Sequence, residues 1–301
     1  MTEPLLTLPH FKQLSNRVWR VLGLNPGKFT LQGTNTYLLG TGSKKILIDT
    51  GEGKADYIPL LETSLREISP TAFISDIILS HCHRDHWGGA QDILTSALNR
   101  SSQIRIHKFP LPVPDFPNIE VNPMHDEQVF QTDSVTLKVI HTPGHTQDHC
   151  AFYLEEENSL FSADCILGQG TAVFENLSQY MGSLRKLLTL HPERIYPGHG
   201  PVIENGTEKI KDYIQHREQR EEQVVQLLKS KSRSWTPLDI THVIYKDYPE
   251  SLHLPAAKGI WLILCKLETD GKAHLSDGSS SGTVPSDSFL NTKWSWASGA
   301  S

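Results

Sequence analysis

His81-Cys82-His83-Arg84-Asp85-His86 places three imidazoles and a carboxylate within six residues, directly after the apolar run Ile77-Ile78-Leu79. Neutral imidazole and carboxylate are donors that Zn²⁺ accepts in a roughly tetrahedral shell, and a catalytic zinc keeps one position open for water. Side chains on one helix face recur every three or four residues. His81 and His83 are two apart, and Asp85 and His86 are adjacent, so this set does not suit a helix. A tight loop leaving a strand can instead turn the first pair toward one ion and the second pair toward a neighbour. Three more donors follow: His145 in Thr142-Pro143-Gly144-His145-Thr146, Asp164 after Leu160-Phe161-Ser162-Ala163, and His199 in Tyr196-Pro197-Gly198-His199-Gly200. Each closes a short β-rich run beside Gly, Pro or a polar turn, where a ligand at the mouth of a strand belongs.

These seven residues, in this order, resemble the metallo-β-lactamase-fold superfamily, in which two zinc ions sit at one edge of a two-sheet sandwich. The resemblance implies that His81, His83 and His145 bind one Zn²⁺ and Asp85, His86 and His199 the other, with Asp164 bridging. It also implies a four-layer αβ/βα sandwich. Of the fifteen histidines, His141 and His149 flank His145 at four residues on either side. His149 is a candidate to hydrogen-bond a ligand from behind. Asp49-Thr50-Gly51 matches the aspartic-protease triplet in a single copy, whereas that mechanism needs two carboxylates sharing a proton. Asp49 is read instead as ending a strand beneath the site and accepting a hydrogen bond from a ligand or a loop amide.

Strand-like runs at 18–22, 36–39, 45–49, 74–80 and 104–107, with helical spacing over 57–68, fill the first half. Runs at 135–141, 151–154 and 159–164, a helix over 177–190 and a short strand at 195–196 repeat that order. Residues 1–205 thus form an α/β catalytic domain. After Pro201 a long charged helix over 207–231 is followed by Thr236-Pro237, an N-cap with Pro in the first helical position. Helices over 237–248 and 255–269 complete a small C-terminal helical domain, 206–275, for which a winged-helix form fits. The Ser- and Gly-rich stretch 276–301 is expected to be disordered. The Pro-rich segment 109–117 reads as a surface loop.

No apolar stretch approaches the ~20 residues that span a bilayer, so no membrane association is expected. The N-terminal MTEPLLTLPHFKQLSN has neither the charged-then-apolar pattern of a secretory signal nor the Arg-rich pattern of a transit peptide. The four cysteines show no paired spacing, which points to a reducing compartment. Net charge is −6 over residues 1–205 and +1 over 206–275, too little basic excess for avid, sequence-independent nucleic-acid binding.

Two adjacent divalent ions activate a water and polarise a substrate oxygen, so the ligand set implies hydrolysis of an amide, thioester or phosphodiester. Asp85 is the candidate to orient the nucleophile and relay its proton. The segments Asn25-Pro26-Gly27, Thr30 to Leu38, Leu47 to Glu52, Asp164 to Gly168 with Gly170-Thr171, and Val173-Phe174-Glu175 look like the β-lactamase-like protein 2 group. That resemblance runs from about Leu14 to Leu275. It implies endoribonuclease cleavage of single-stranded RNA in the mitochondrial matrix, or in the cytoplasm, without secretion. Similar fungal proteins release polyketides from acyl carriers, so an acyl thioester is the alternative substrate. A non-catalytic RNA-binding protein is the alternative of another class, and it would require ligand loss. Thr34, Asn35 and Tyr180 are candidates to line the pocket or to support a ligand from behind, Lys209, Lys211, Arg217 and Arg220 to contact RNA, and Trp235 and Trp261 to stack bases or fill a core.

Overall fold

The computed structural model describes residues 4–99, 104–111, 119–230, 233–284 and 288–297. Most of the Pro-rich loop expected at 109–117 lies outside the described residues. The chain divides into two compact units, Met1–Phe174 with Gln179–Lys211, and Glu175–Ser178 with Asp212–Ser301.

In the first unit, β1 (Phe11–Gln13), β2 (Val18–Leu22), β3 (Asn35–Leu39) and β4 (Lys44–Ile48) lead into helix α1 (Tyr57–Ile68) and strand β5 (Phe73–Leu79). Short helices α2 (Arg84–Trp87) and α3 (Ala90–Thr95) precede β6 (Arg105–Lys108) and β7 (Asn122–Pro123). Strands β8 (Val129–Thr132), β9 (Val135–His141), β10 (Cys150–Leu154) and β11 (Ser159–Ala163), helix α4 (Leu177–Leu188) and strand β12 (Arg194–Pro197) follow. They make a seven-stranded sheet in the order β1 to β7 and a five-stranded sheet in the order β12-β11-β10-β9-β8.

Alternation along the strands explains the layering. Tyr37 and Leu39 of β3, Ile46 and Ile48 of β4, Leu137 and Val139 of β9, and Phe152 and Phe161 meet in one buried cluster between the sheets. The intervening residues Leu38, Leu47, Ile77 and Leu79 face the other way, against Tyr57, Leu61 and Leu65 of α1 and Ile93 of α3. Both faces of the seven-stranded sheet are therefore apolar, which is why β2 and β3 are buried along their whole length. On the second sheet Tyr180, Leu184 and Leu187 of α4 are buried, while Ser183 bonds the Pro143 carbonyl and Lys186 that of His141.

The strands that matter for the site pair in parallel: β4 with β5, β5 with β6, and β11 with β12. Their carboxyl ends gather at one edge, and Cys150 N bonds Ser80 O (2.9 Å) to join the two sheets there. Away from that edge, Asp76 on β5 is buried and meets His107 (3.0 Å), Arg105 (2.7 Å) and the Ser75 hydroxyl (2.8 Å). Burial pushes its carboxyl up, but these partners outweigh burial and hold it down at about 2. A depressed carboxyl stabilises the fold above its unfolded value of about 4, and that contribution is lost as pH falls toward 2. Asp76→Asn is accordingly expected to cost about 1–2 kcal/mol at pH 7, with a smaller difference from the native chain near pH 3. Urea melts at both pH values check this; an equal cost at both would remove the ionic account.

The second unit contains most of α5 (Gly206–Ser230), then α6 (Pro237–Ile244), α7 (His253–Thr269) and the antiparallel pair β13 (Ala273–Leu275) and β14 (Trp294–Trp296). Thr236 caps α6 reciprocally with Asp239, and Pro237 starts the helix, as the sequence implied. Three expectations are corrected here. The compact units divide inside α5, at Lys211/Asp212, rather than at 205/206, where the helix begins. Helix α6 stops at Ile244, four residues early, and His253 Nε2 contacts the Tyr245 carbonyl (3.1 Å) just beyond its end. Disorder over 276–301 does not hold for the described part: Trp294 is fully buried, and its backbone pairs with Leu275 and Trp235. Trp235 is buried and Trp261 packs edge-on against Trp294 (5.5 Å), so both belong to the core rather than to a stacking surface. Among the described residues no helix is long and apolar enough to cross a membrane.

Candidate metal centre

His81 and His83 lie in the short loop after β5, and Asp85 and His86 in the single turn of α2 that follows. Loop plus one helical turn thus splits the two pairs. His145 sits in the loop after β9, Asp164 directly after β11 and His199 two residues past the end of β12. The seven side chains gather into two sets, His81, His83, His145 and Asp164, and Asp85, His86 and His199, with donor atoms of each set within 4.8 Å of one another. His81, His86, His145 and His199 are buried, while His83, Asp85 and Asp164 are partly open, the Asp85 side chain being 21 % exposed.

Two glycines let the loops close. Gly144 has φ +131°, and a Cβ there would stand 2.4 Å from the Tyr180 backbone. A Cβ on Gly198 would stand 2.5 Å from Asp164 Oδ1. Backbone strain marks the same places: Asp49 (φ +58°) and Ala163 (φ +42°) occupy the left-handed region just where a strand gives way to the site.

Hydrogen bonds behind the rings fix their tautomers. Asp49 accepts from Ser80 N through Oδ1 (2.8 Å) and from the Ser80 hydroxyl through Oδ2 (2.8 Å). Having given its only proton to Asp49, Ser80 Oγ accepts from His81 Nδ1 (3.0 Å). His86 Nδ1 donates to Asp49 Oδ2 (2.7 Å), and His145 Nδ1 donates to the Val173 carbonyl (2.8 Å). Neutral His81 and His145 therefore each present a bare Nε2. Both stand 3.0 Å from His83 Nδ1, which can donate to only one of them. In the second set His86 Nε2 and His199 Nε2 are 3.4 Å apart, each 3.2 Å from Asp85 Oδ2 and 3.3 Å from Asp164 Oδ1. That oxygen is buried and accepts no well-formed hydrogen bond. Donors held about 2.0–2.1 Å from a tetrahedral cation stand about 3.3–3.4 Å apart, close to these separations. Lone pairs facing one another across 3.0 Å, together with an unsatisfied carboxylate oxygen, fit a pair of divalent cations.

Electrostatics divide the sets. Burial drives His81 well below the usual imidazole range, and its imidazole neighbours add to this; burial also lowers His145. Burial opposes the charge on His86 as well, yet Asp85, Asp164 and Asp49 raise it well above that range. Against the same penalty, Asp164 and Asp85 raise His199 to about 9. Asp85 and Asp164 are correspondingly held below the carboxylate range, burial notwithstanding, by His86 and His199.

Several sequence-based assignments change. Thr34, Asn35 and Tyr180 are fully buried and do not line a pocket. Thr34 Oγ1 accepts from Asn25 Nδ2 (3.0 Å) and donates to Asp85 Oδ2 (3.1 Å), which aims that carboxylate. Asn35 Nδ2 clamps the His199 turn through the Pro197 and Gly200 carbonyls (2.9 Å each). Tyr180 bonds the Cys165 carbonyl (2.6 Å), just past Asp164. His149 hydrogen-bonds no ligand: its Nδ1 meets Thr142 Oγ1 (2.8 Å), and its ring packs 5.3 Å from that of His81 and 5.6 Å from that of His145. His141 stacks on Phe109 outside both sets. Asp49 lies where the sequence reading put it, beneath His86. All four cysteines are free thiols, and none falls in either set. Three features escaped the sequence. Ser80 carried a signal, as a hydroxyl ending an apolar strand just before His81; the Val173 carbonyl carried none. The buried pair Lys108–Asp148, which braces the His145 loop through Asp148 and Thr146, likewise depends on a contact 40 residues apart.

Comparison with known proteins agrees with this architecture. Residues 29–199 match the metallo-beta-lactamase superfamily model, and 236–280 match the beta-lactamase associated winged helix domain. The "Beta-lactamase-like protein 2 homolog" of Drosophila melanogaster is 44% identical over 277 residues, 89% of this chain and 94% of that one. An "Atrochrysone carboxyl ACP thioesterase" of Aspergillus novofumigatus is 40% identical over 230 residues, 76% of this chain and 68% of that one. Among solved structures, a "Beta-lactamase domain protein" from Burkholderia ambifaria superposes with TM-score 0.77 at 17% identity, covering 97% of this chain and 95% of that one. With its two-sheet fold, its paired donor sets and its winged-helix module, the chain belongs to the metallo-β-lactamase superfamily of hydrolases, within the β-lactamase-like protein 2 group.

Proposed function

We propose that this hydrolase holds two Zn²⁺ ions and cleaves phosphodiesters of single-stranded RNA as an endoribonuclease. The observation that carries the reading is the seven-donor centre in which Asp164 faces both sets, since Oδ1 stands 3.3 Å from His86 and His199 and Oδ2 stands 3.6 Å from His145. When bound, a pair of divalent cations supplies Lewis acidity and an activated water, the chemistry that diester cleavage needs. His81, His83 and His145 would hold one ion and Asp85, His86 and His199 the other. Imidazole nitrogens and carboxylate oxygens are donors that zinc accepts.

The protein's own groups do the rest. Thr34 orients Asp85 through Oδ2, which leaves Asp85 Oδ1 to take the proton of the attacking water. Held below the carboxylate range, Asp85 is a weak base and passes that proton on to solvent. The choice of RNA follows the group resemblance. The identity to an acyl-carrier thioesterase favours a thioester as the second reading. Free thiols and the resemblance support the mitochondrial matrix or the cytoplasm as the compartment.

Zinc-loaded protein is expected to cut a fluorescent single-stranded RNA, and both Asp85→Ala and a chelator to lower the rate at least about 10³-fold. An intact, zinc-loaded chain that leaves RNA whole but hydrolyses an acyl thioester would replace the first reading with the second.

A further inference from the structure

The first set of donors is assembled across the gap between the two sheets. His81 and His83 leave β5 of the seven-stranded sheet, whereas the loop 142–149, between β9 and β10 of the five-stranded sheet, carries His145. Metal–nitrogen distances tolerate about 0.2 Å of error, so an ion held by all three rings needs the two sheets kept in fixed relation at this point.

The loop is closed upon itself. At its neck Thr142 N donates to the His149 carbonyl (2.8 Å), and Thr142 Oγ1, which accepts from Ala151 N (3.0 Å), meets His149 Nδ1 (2.8 Å). Around the ligand Gly144 N donates to the Thr146 carbonyl (3.0 Å), and Thr146 Oγ1 donates to Asp148 Oδ1 (2.7 Å). With its own bonds so satisfied, the loop is placed by what ties it to the other sheet. Lys108, the last residue of β6, donates to Asp148 Oδ2 at one end of the loop, and Phe109 stacks on His141 at the other (centroids 3.9 Å apart, planes 4° apart). The Lys108 and Asp148 side chains are 3 % and 0 % exposed.

A buried ion pair is a costly way to hold two sheets together, because desolvation offsets most of the attraction and an apolar pair of like volume stabilises as well or better. What an apolar pair lacks is an acceptor for Thr146. We propose that Lys108 and Asp148 are positioning residues of the first metal site: the ammonium fixes the carboxylate, and the carboxylate fixes, through Thr146, where His145 stands against His81 and His83. The Val173 carbonyl turns the ring of His145, and the ion pair places the loop that carries it. The assignment rests on the two-ion reading of the centre.

The test compares stability with site-resolved Zn²⁺ affinity, measured by calorimetric titration of the metal-free full chain, the first site being the one that His83→Ala removes. Lys108→Met and Asp148→Val together leave no charge unpaired and are expected to melt within about 5 °C of the native chain. First-site affinity should nevertheless fall about 10–100-fold, with the second site within about threefold. Thr146→Val keeps the ion pair and the side-chain volume and should weaken the first site about tenfold, whereas Thr146→Ser keeps the hydroxyl and should bind as the native chain does. A double variant that folds and binds at native affinity overturns the proposal, as does equal weakening of both sites. Equal first-site affinity in Thr146→Val and Thr146→Ser overturns it as well, whether or not the double variant folds. A native chain that binds fewer than two ions discards the two-ion reading, and amide exchange of the metal-free chain then answers the question of position. Exchange of Gly144 N–H faster by about tenfold or more in Thr146→Val, with that of Cys150 N–H unchanged, keeps the loop's dependence on Asp148. Equal exchange at Gly144 overturns it.

Discussion

On the two-ion reading proposed above, Asp164→Ala is expected to abolish turnover, with a loss of about 10³-fold or more (some 4 kcal/mol of transition-state stabilisation), and to reduce bound metal from two equivalents to one or none. The expectation follows from where its two oxygens point. Oδ1 faces His86 and His199 of one set, and Oδ2 faces His145 of the other. No other carboxylate among the described residues stands in both places. Its charge also supports the raised proton affinity of His86 and His199, so the metal-free variant keeps two imidazoles balanced only by Asp85 and, at His86, by Asp49. Asp164→Asn retains the volume and one acceptor, and should keep more of the fold while still losing metal. Metal content by mass spectrometry after dialysis, alongside turnover, checks both variants. Two equivalents retained at native affinity in Asp164→Ala would mean that Asp164 is not shared.

Much of this centre was legible because donor chemistry and strand ends are both local signals. The apolar run of β5 ends at Ser80 and the imidazoles begin at His81, so residue type and position agreed without reference to the rest of the chain. What is not local was not legible. Thr34 and Asn35 could be named as candidates beside Gly33, but not their partners: one aims a carboxylate 51 residues away and the other clamps carbonyls more than 160 residues away. Tyr180 looked like a pocket residue because it is polar and close to Gly170-Thr171, but its hydroxyl is spent on a buried carbonyl. The tail misled through composition: Ser and Gly outweighed the period-2 alternation of Trp294-Ser295-Trp296, and alternation decided the structure. The change in composition near residue 205 marks the start of α5, whereas the compact units divide a few residues later, inside its first turns.

Asp49→Ala is expected to loosen both metal sites at once, although Asp49 belongs to neither set of donors. Its carboxylate closes the path His81 Nδ1–Ser80 Oγ–Asp49 Oδ2–His86 Nδ1, with links of 3.0, 2.8 and 2.7 Å, so one buried group sets the tautomer of one ring in each set. Removing it leaves the Ser80 amide, the Ser80 hydroxyl and His86 Nδ1 without their acceptor in a region closed to solvent. The expected cost in stability is about 3 kcal/mol, to which an alanine held at φ +58° adds about 1. With the rings free to flip, affinity for metal should fall about 10–100-fold at each site. Ser80→Ala separates the two effects. It cuts the path to His81 and leaves the His86–Asp49 bond intact, so the first site should weaken while the second keeps its affinity. Calorimetric titration of both variants with Zn²⁺ resolves the sites. Equal weakening of both sites by Ser80→Ala would show that the serine acts through the packing of the strand end rather than through the hydrogen bonds it makes to Asp49 and His81.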